Sequence, residues 1–270
     1  MKKLITICVL AAMSSVAYAL PSDDFNDNSR NASMWNLFQE SPSVWLNETN
    51  GRLEVRSTGD VNDNVAAYFA NGWGFSTTGN FSFKTDFHNL RSGSPDSFAS
   101  ATLGLFKDWS NILFIQADYE PDHNTPSYFH YELTIAGSTV DEKDKVRNTD
   151  DGTLYISYDA NKDELYLSDT GYWAANAWIT IPDLLKGEWG SAVVIPILAG
   201  SAENRALASG DAHLDNFVVD SGTIAQICEY VLSGDLNDDC KVDFYDFAQM
   251  ASNWLIDCTD EPGNPACVHK

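Results

Sequence analysis

Six oxygen-bearing positions near the C-terminus have the spacing of a calcium-binding loop. In residues 235–246, side-chain oxygens fall at loop positions 1, 3, 5, 9 and 12, and a backbone carbonyl is available at position 7. A hard cation such as calcium takes about 6–8 oxygen ligands in a flexible shell. The predicted calcium ligands are Asp235, Asn237, Asp239, Lys241 through its carbonyl, Asp243 and Asp246.

This loop departs from the general EF-hand pattern at two positions. Position 6, which is usually Gly, is Cys240, and position 12 is Asp rather than Glu. With Asp at position 12 and a helix after it, the segment 234–256 resembles a type I dockerin repeat, the calcium module that docks secreted polysaccharide-degrading proteins onto cohesin domains. The resemblance implies an EF-hand-like loop-helix module and a cohesin-like partner. A dockerin normally has two repeats and this chain has one. The alternative interpretation is a solvated acidic turn before a helix.

Four cysteines surround this loop and predict disulfide bonds. They are Cys228, Cys240, Cys258 and Cys267. A module this short buries too little apolar surface to be stable alone, and disulfides and a metal are the usual additions. Four cysteines allow three pairings. A straight helix over residues 243–255 would span roughly 20 Å, which disfavours Cys240–Cys258 and favours Cys228–Cys240 with Cys258–Cys267.

The N-terminus predicts export. Lys2 and Lys3 precede an apolar run over residues 4–12, and residues 17–19 form a small-residue cleavage site. These are the parts of a secretory signal peptide, so we expect residues 1–19 to be removed and the protein to act outside the cell or at its surface. The apolar run is shorter than the about 20 residues of a membrane-spanning helix, so no membrane insertion is expected.

The charge balance limits the classes of partner. With 16 basic and 39 acidic residues, the formal net charge is −23. Such a surface repels nucleic acid and anionic membranes. A neutral or cationic partner is therefore expected.

Residues 20–222 predict a mainly β domain, an antiparallel two-sheet jelly-roll sandwich. About ten candidate strands recur between turn signals, and several of them alternate apolar and polar residues; this number is enough for two packed sheets. The predicted strands are 52–56, 64–70, 81–88, 99–107, 111–119, 128–135, 154–158, 164–168, 192–198 and 214–219, with a short helix near 183–186. Residues 223–233 are predicted to link this sandwich to the module at 234–270.

Motifs at both ends of the sandwich add a family resemblance. An acidic-Phe opening at 23–27, Trp35, a Gly-Arg-Leu strand at 51–53 and a closing Asp-Asn-Phe strand at 215–217 resemble concanavalin A-like (laminin G-like) jelly-roll domains of secreted bacterial proteins. In such sandwiches the first and last strands lie side by side. Asp24 and Asp215 could then share a structural cation, because neighbouring carboxylates need a counter-charge. The alternative is that residues 215–216 only start a strand through side-chain turn bonds.

Aromatic residues beside turns predict carbohydrate binding. The chain has eight Trp and eleven Tyr, and aromatic faces stack on sugar rings while carboxylates and amides bind the hydroxyls. Trp73, Trp109 and Trp173 are the predicted contacts with a glycan. The alternative for each of them is packing in the core.

Catalytic motifs are not evident. A retaining glycosidase of this fold needs two carboxylates about 5–5.5 Å apart, and neither Glu-x-Asp-x-Glu nor Glu-x-Asp-x-x-Glu occurs. We interpreted residues 118–122 as an acidic loop, because Pro121 breaks the strand pattern. The expected function is a secreted, non-catalytic carbohydrate-binding or adhesion protein. A glycoside hydrolase with an unrecognised carboxylate pair, and a surface protein that uses calcium only for stability, remain as alternatives.

Overall fold

A computed structural model describes residues 20–60, 62–90, 97–121, 126–227, 234, 242 and 244–253. These residues form eighteen β-strands, a short π-helix at Leu184–Glu188 and one α-helix. The strands are β1 Ser22–Asp23, β2 Trp35–Gln39, β3 Val44–Thr49, β4 Arg52–Thr58, β5 Asn64–Ala70, β6 Trp73–Ser76, β7 Phe81–Asn89, β8 Phe98–Asp108, β9 Asn111–Tyr119, β10 Ser127–Ile135, β11 Ser138–Val146, β12 Asp151–Asp159, β13 Glu164–Ser168, β14 Ile179–Pro182, β15 Val193–Glu203, β16 Ala206–Leu207, β17 Ala212–Ser221 and β18 Ile224–Gln226, and the helix α1 is Phe244–Asn253.

The strands form two antiparallel sheets, which confirms the predicted sandwich. Sheet A has the order β14-β13-β12-β7-β17-β4-β16, with β1 paired to β17 and β3 to β4. Sheet B has the order β11-β10-β9-β8-β15-β5-β2, and β6 pairs with β15 and β18. Side chains alternate between the core and the outer face of each sheet because the side-chain period of a strand is two residues. Each sheet therefore presents one outer face to solvent.

Aromatic side chains fill much of the core between the sheets. The ring of Phe75 stacks on Phe81 at 4.6 Å and on Phe83 at 4.9 Å, centroid to centroid. The sheets approach closely at Gly200, where an added Cβ would lie 2.3 Å from Val55 Cγ2. Glycine is needed there because the inner face of β15 leaves no room for a side chain.

The predicted boundary of the sandwich at residue 222 is wrong by a few residues. Ile224–Gln226 form β18, which pairs with β6, although the sequence places residues 223–233 in a linker. Ile224 packs against the core, and Gly222, at φ +150°, turns the chain toward β6. Burial of Ile224 and the ladder hydrogen bonds explain why the strand forms beyond the expected end.

A polar junction ties one end of the two sheets together. Asn89, at the end of β7 in sheet A, donates from Nδ2 to the carbonyls of Ala99 and Ala117 in sheet B, both at 2.9 Å. The buried guanidinium of Arg147 donates to the carbonyls of Asn89 at 2.9 Å and Asp118 at 3.0 Å. Because buried carbonyls need donors, these two side chains hold the end of β9 against sheet A.

Within the described part of the chain, no helix has the length and apolar character needed to cross a membrane. The signal peptide predicted over residues 1–19 lies outside the described residues and stays a prediction.

Replacing Arg147 by Met should destabilise the protein strongly. Met fills most of the volume but donates no hydrogen bond, so several buried carbonyls lose their partner, each at a cost of about 1–3 kcal/mol. We expect a fall of about 3 kcal/mol or more in the free energy of unfolding, measured by urea denaturation. Lys162→Met is the control, because it breaks only exposed ion pairs with Asp159 and Glu164, which contribute little to stability. Equal stability of the two variants would contradict the role of the junction.

Candidate functional site

A groove of about 330 Å³ lies on the outer face of sheet B. Side chains of β5, β8, β9 and β15 that point away from the core line its floor, among them Ala67, Thr102, Phe114 and Ile197. Because successive strands are in register, these outward residues form rows across the sheet: Ala199, Thr102, Gln116, His130 and Asp144 are successive cross-strand partners. We call this cavity the sheet B groove.

Trp109 forms the aromatic end of the groove. Its indole is 62% exposed and contacts three phenylalanine rings, Phe38 at 4.9 Å, Phe106 at 5.3 Å and Phe69 at 5.7 Å. The turn that carries it is fixed by Asp108, which accepts hydrogen bonds from the Asn111 side chain and the Ser110 N–H. The ring is therefore held in one place while much of its surface remains open to a ligand.

The opposite end of the groove is polar, and Gln116 connects its side chains by hydrogen bonds. Thr102 Oγ1 donates to Gln116 Oε1 at 3.1 Å, and Gln116 Nε2 donates to Asp118 Oδ2 at 2.8 Å. Asp118 is only 1% exposed, and its Oδ1 has no hydrogen-bond partner. Burial raises the pKa of Asp118 to about 8, although the charge of His130 and the bond from Gln116 act against it. At neutral pH this carboxyl is therefore largely protonated.

His130 lies beside Gln116 on the neighbouring strand and is surrounded by carboxylates. Its Nδ1 is 2.8 Å from Asp144 Oδ1 and its Nε2 is 3.8 Å from Glu132 Oε2. Burial opposes the imidazolium charge, but the hydrogen bonds to Glu132 and Asp144 outweigh it and raise the pKa of His130 to about 9. The imidazole is thus charged at neutral pH.

Sequence reasoning missed this polar end. The predicted acidic loop at 118–122 begins inside the predicted strand 111–119, and Asp118 follows the strand: it lies within β9 and is buried under the outer face. Strand β9 continues to Tyr119, opposite Ser127 of β10, before the break at Pro121. One sequence feature indicates this polar end: two adjacent strands each have polar residues two positions apart, at 116 and 118 and at 130 and 132. Asp122 lies outside the described residues.

The three predicted tryptophans do not form one surface. Trp109 lies in the groove, whereas Trp173 lies in the connection between β13 and β14 of sheet A. Trp73 is wrong as a ligand contact, because it is 6% exposed and packs in the core against Trp35, with its Nε1 donating to the Met34 carbonyl at 3.1 Å. The turn beside Trp73 belongs to a short buried strand rather than to the surface.

The first and last strands of the sandwich do lie together, as the resemblance implied. Asp23 of β1 is the partner of Phe217 in β17, which brings Asp24 near Asp215. Burial raises the pKa of Asp215, and the charges of Asp86 and Asp24 add to this. Among the described residues no group of three or more His, Cys, Asp or Glu side chains has a metal-binding arrangement. The shared cation therefore stays a prediction.

Most of the calcium loop lies outside the described residues. Only Asp246 is described; it is 2% exposed and lies in the first turn of α1. The residues outside are Asp235, Asn237, Asp239, Lys241, Asp243 and the cysteines Cys228, Cys240, Cys258 and Cys267. Calcium binding and disulfide pairing thus stay predictions.

A second ionisable row crosses the outer face of sheet A. Asp151, His88, His213 and Glu54 are successive cross-strand partners, and the two imidazoles stack at 4.8 Å. Burial lowers the pKa of His213 to about 4, and the charges of Arg52 and His88 lower it further. His213 is therefore neutral at the pH where His130 is charged.

The fold is shared with solved structures of very different sequence. A glycosyl hydrolase family protein from Mycobacterium fortuitum is 14% identical, covers 75% of this chain and 100% of its own, and has a TM-score of 0.53. A beta-1,3-glucanase from Mycobacterium marinum is 13% identical, covers 75% and 99%, and has a TM-score of 0.52. A family 16 protein from Mycobacterium smegmatis is 10% identical, covers 74% and 100%, and has a TM-score of 0.50. This confirms the fold, a two-sheet jelly-roll sandwich.

No family model matches the sequence, and no curated protein matches it either. The likeness to solved structures is therefore one of fold.

The two histidines should titrate at opposite extremes. In the NMR titration of the imidazole C–H signals, His130 should change charge near pH 9 and His213 near pH 4. Asp144→Asn should lower the pKa of His130, because it removes one of the carboxylates that stabilise the imidazolium, and should leave His213 unchanged. Glu142→Gln on the same strand is the control and should move His130 less. An unshifted His130 in Asp144→Asn would show that this carboxylate does not hold the charge.

Proposed function

We propose that this protein is a non-catalytic carbohydrate-binding protein that acts outside the cell and holds a neutral polysaccharide in the sheet B groove. The observation that carries the proposal is a fixed, exposed indole and a row of hydrogen-bonding side chains in one concave cavity. Sugar rings offer apolar faces to aromatic side chains and hydroxyls to carboxylates and amides. Trp109 supplies the first kind of contact, and Gln116 with Glu132 the second.

The negative charge of the sheet B groove favours neutral polysaccharides over acidic ones. The charged side chains among the described residues that line the groove are the carboxylates Glu40, Asp63 and Glu132. Burial raises the pKa of Asp63, and the nearby charges of Glu203 and Glu40 raise it further, so this end of the groove is already crowded with negative charge. An acidic polysaccharide would be repelled, which leaves neutral glycans. The beta-1,3-glucanase that shares the fold makes a soluble β-1,3-glucan the first ligand to test.

The polar end supports binding rather than hydrolysis. Retaining hydrolysis needs a carboxylate nucleophile and a second carboxyl about 5–5.5 Å away. Two residues before Asp118, on the same face of β9, the side chain is the amide of Gln116, which cannot act as a nucleophile or a base. Glu132 accepts hydrogen bonds from Thr134 and Thr139 at 3.1 and 2.8 Å. Gln116 and Glu132, which line the groove, are therefore suited to bind hydroxyls of a glycan, and the buried Asp118 positions the Gln116 amide.

We also propose that calcium is a structural ion at two sites of this protein. Asp246 is buried in the first turn of α1, where a carboxylate that closes a calcium loop would lie. A cation at Asp24 and Asp215 would neutralise the charges that raise the pKa of Asp215. Both sites use hard oxygen ligands, which suit calcium.

The C-terminal module is proposed to dock the protein onto a cohesin-like partner. On α1, Phe244, Phe247 and Met250 are spaced three residues apart and are 87%, 57% and 44% exposed. Residues at this spacing share one face of a helix, and exposed apolar side chains of this size are typical of protein interfaces. The partner would hold the groove close to a polysaccharide surface.

Loss of the Trp109 ring should weaken glycan binding. Trp109→Ala should reduce the affinity for a soluble β-1,3-glucan about tenfold, equivalent to about 1.4 kcal/mol, as measured by isothermal titration calorimetry. Trp109→Phe should retain part of the affinity because it keeps an aromatic face. Leu37→Ala is the control, since Leu37 is also exposed but lies outside the groove lining.

Two results would count against the proposal. Unchanged affinity in Trp109→Ala would remove the groove as the binding site. Release of reducing ends from the glucan, lost in Asp118→Asn, would establish a hydrolase instead of a binding protein.

Calcium binding should separate into two independent sites. In calorimetry on the full chain under oxidising conditions, Asp235→Ala combined with Asp246→Ala should remove about one calcium ion per chain, because two ligands of the loop are lost. Asp24→Asn combined with Asp215→Asn should remove the ion in the sandwich and leave the C-terminal one. Asp169→Asn, which breaks a surface pair with Lys145, is the control. Unaltered calcium stoichiometry in the first double variant would refute the calcium loop.

A further inference from the structure

Residues 169–178 form a strap across the outer face of sheet A. They connect β13 to β14, but they reach well beyond these two strands. The Tyr172 hydroxyl donates to the Asp220 carboxylate on β17, and the Trp173 N–H donates to Ser157 Oγ on β12 at 3.0 Å. Because β7 lies between β12 and β17, the strap spans three strands. Ser157 is buried beneath it.

Trp173 is held in this strap at a conformational cost. Its φ is +68°, a region that a bulky residue rarely adopts and that costs free energy. The indole is nevertheless 39% exposed, so burial of the ring offsets only part of this cost. A residue chosen for stability alone at this φ would be Gly or Asn. Local strain together with exposure of a large apolar ring points to a role in binding.

Hydrogen bonds inside the strap fix the position of the indole. The Asn176 N–H donates to the Trp173 carbonyl at 3.0 Å, and Asn176 Nδ2 donates to the Tyr172 carbonyl at 2.9 Å. Ser168 Oγ donates to the Asn176 carbonyl at 2.7 Å. Tyr172 also packs edge-on against Tyr155 of β12 at 5.0 Å. The backbone that carries the indole is thus fixed before a ligand binds, which reduces the entropy lost on binding.

We propose that Trp173 is a second glycan contact, separate from the sheet B groove and on the opposite sheet of the sandwich. The ligand class rests on the proposed function: the indole stacks on a sugar ring of the same kind of neutral polysaccharide. The exposed side chains of Asn176 and Asp220 both hydrogen-bond to Tyr172, the residue before Trp173, and could bind hydroxyls of the same ligand. Two contacts on opposite sheets face in opposite directions, so one protein could bridge two polysaccharide chains.

The deciding variant is Trp173→Gly, which removes the ring and relieves the strain together. Because Gly adopts positive φ at no steric cost, the melting temperature should stay the same or rise. Calorimetry with a soluble β-1,3-glucan oligosaccharide should give two sites per chain for the wild type and one for Trp173→Gly. Bridging of the long polymer, followed as turbidity, should disappear. Asn204→Gly is the matched control, because Asn204 also has a positive φ, +50°, and carries no aromatic ring.

Each outcome decides the inference. Two sites and undiminished turbidity in Trp173→Gly would overturn it while the groove stands. Loss of folding in Trp173→Gly would be checked with Trp173→Asn, which also tolerates positive φ; if both variants unfold, the ring is a packing element and the inference is wrong. Trp109→Ala should weaken one of the two sites about tenfold, leave the other unchanged and reduce bridging. Absence of any glucan binding by the wild type would refute the proposed function and this inference with it.

Discussion

The junction of Asn89 and Arg147 is the constraint on which the groove depends. A β-sandwich holds its two sheets together mainly by apolar burial, which has no direction. Hydrogen bonds from these two side chains instead fix which backbone groups of sheet B face the end of β7. One of those groups is the carbonyl of Asp118. The position of the carboxyl that accepts a hydrogen bond from Gln116, a lining residue of the groove, therefore follows from the buried Arg147 behind it.

The two ends of the groove are supported differently. The polar end depends on the junction and on strand register, because Gln116 and His130 meet only as cross-strand partners. The aromatic end depends on a local turn, closed by Asp108, and on three phenylalanine rings. Changes in the turn can therefore alter the stacking surface and leave the polar end in place. This independence suits a binding site whose specificity is tuned at one end.

Several buried carboxyl groups are electrostatically unfavourable in the folded protein. Glu48 points into the sandwich, its two oxygens are buried without a hydrogen-bond partner, and burial with the charge of Asp23 raises its pKa to about 7. Asp118 and Asp215 also have raised pKa values. Since the folded state holds these protons above the ordinary carboxyl pKa, its stability falls as the pH rises through the raised values. For Asp215, a cation bound between it and Asp24 would remove part of this penalty, which would tie the predicted calcium to the fold itself.

The sequence pattern predicts the central strands better than the site. Asn64–Ala70, Asn111–Tyr119 and Glu164–Ser168 are found as predicted, because each is rich in aliphatic and aromatic residues. The sequence pattern does not predict β11, because its residues are mostly exposed and polar or charged. Hydrogen-bonded pairing with β10, rather than burial, makes this segment a strand. Trp73 and Trp109 both lie beside turn residues in the sequence. Only the structure, in which β6 pairs with β15, shows that Trp73 lies in the core.

The placement of the remaining tryptophans gives the sandwich two different faces. Burying a large aromatic ring stabilises a protein by several kcal/mol, so leaving Trp109 and Trp173 partly in solvent forgoes stability at both places. Trp109 is supported by rings beneath it, whereas Trp173 is supported by backbone hydrogen bonds in a strained strap. Trp109 and Trp173 are thus both exposed, and two unrelated kinds of local structure support them. A shared ligand explains this better than the demands of folding. A flat, repeating polymer with an apolar face meets that requirement on both sheets.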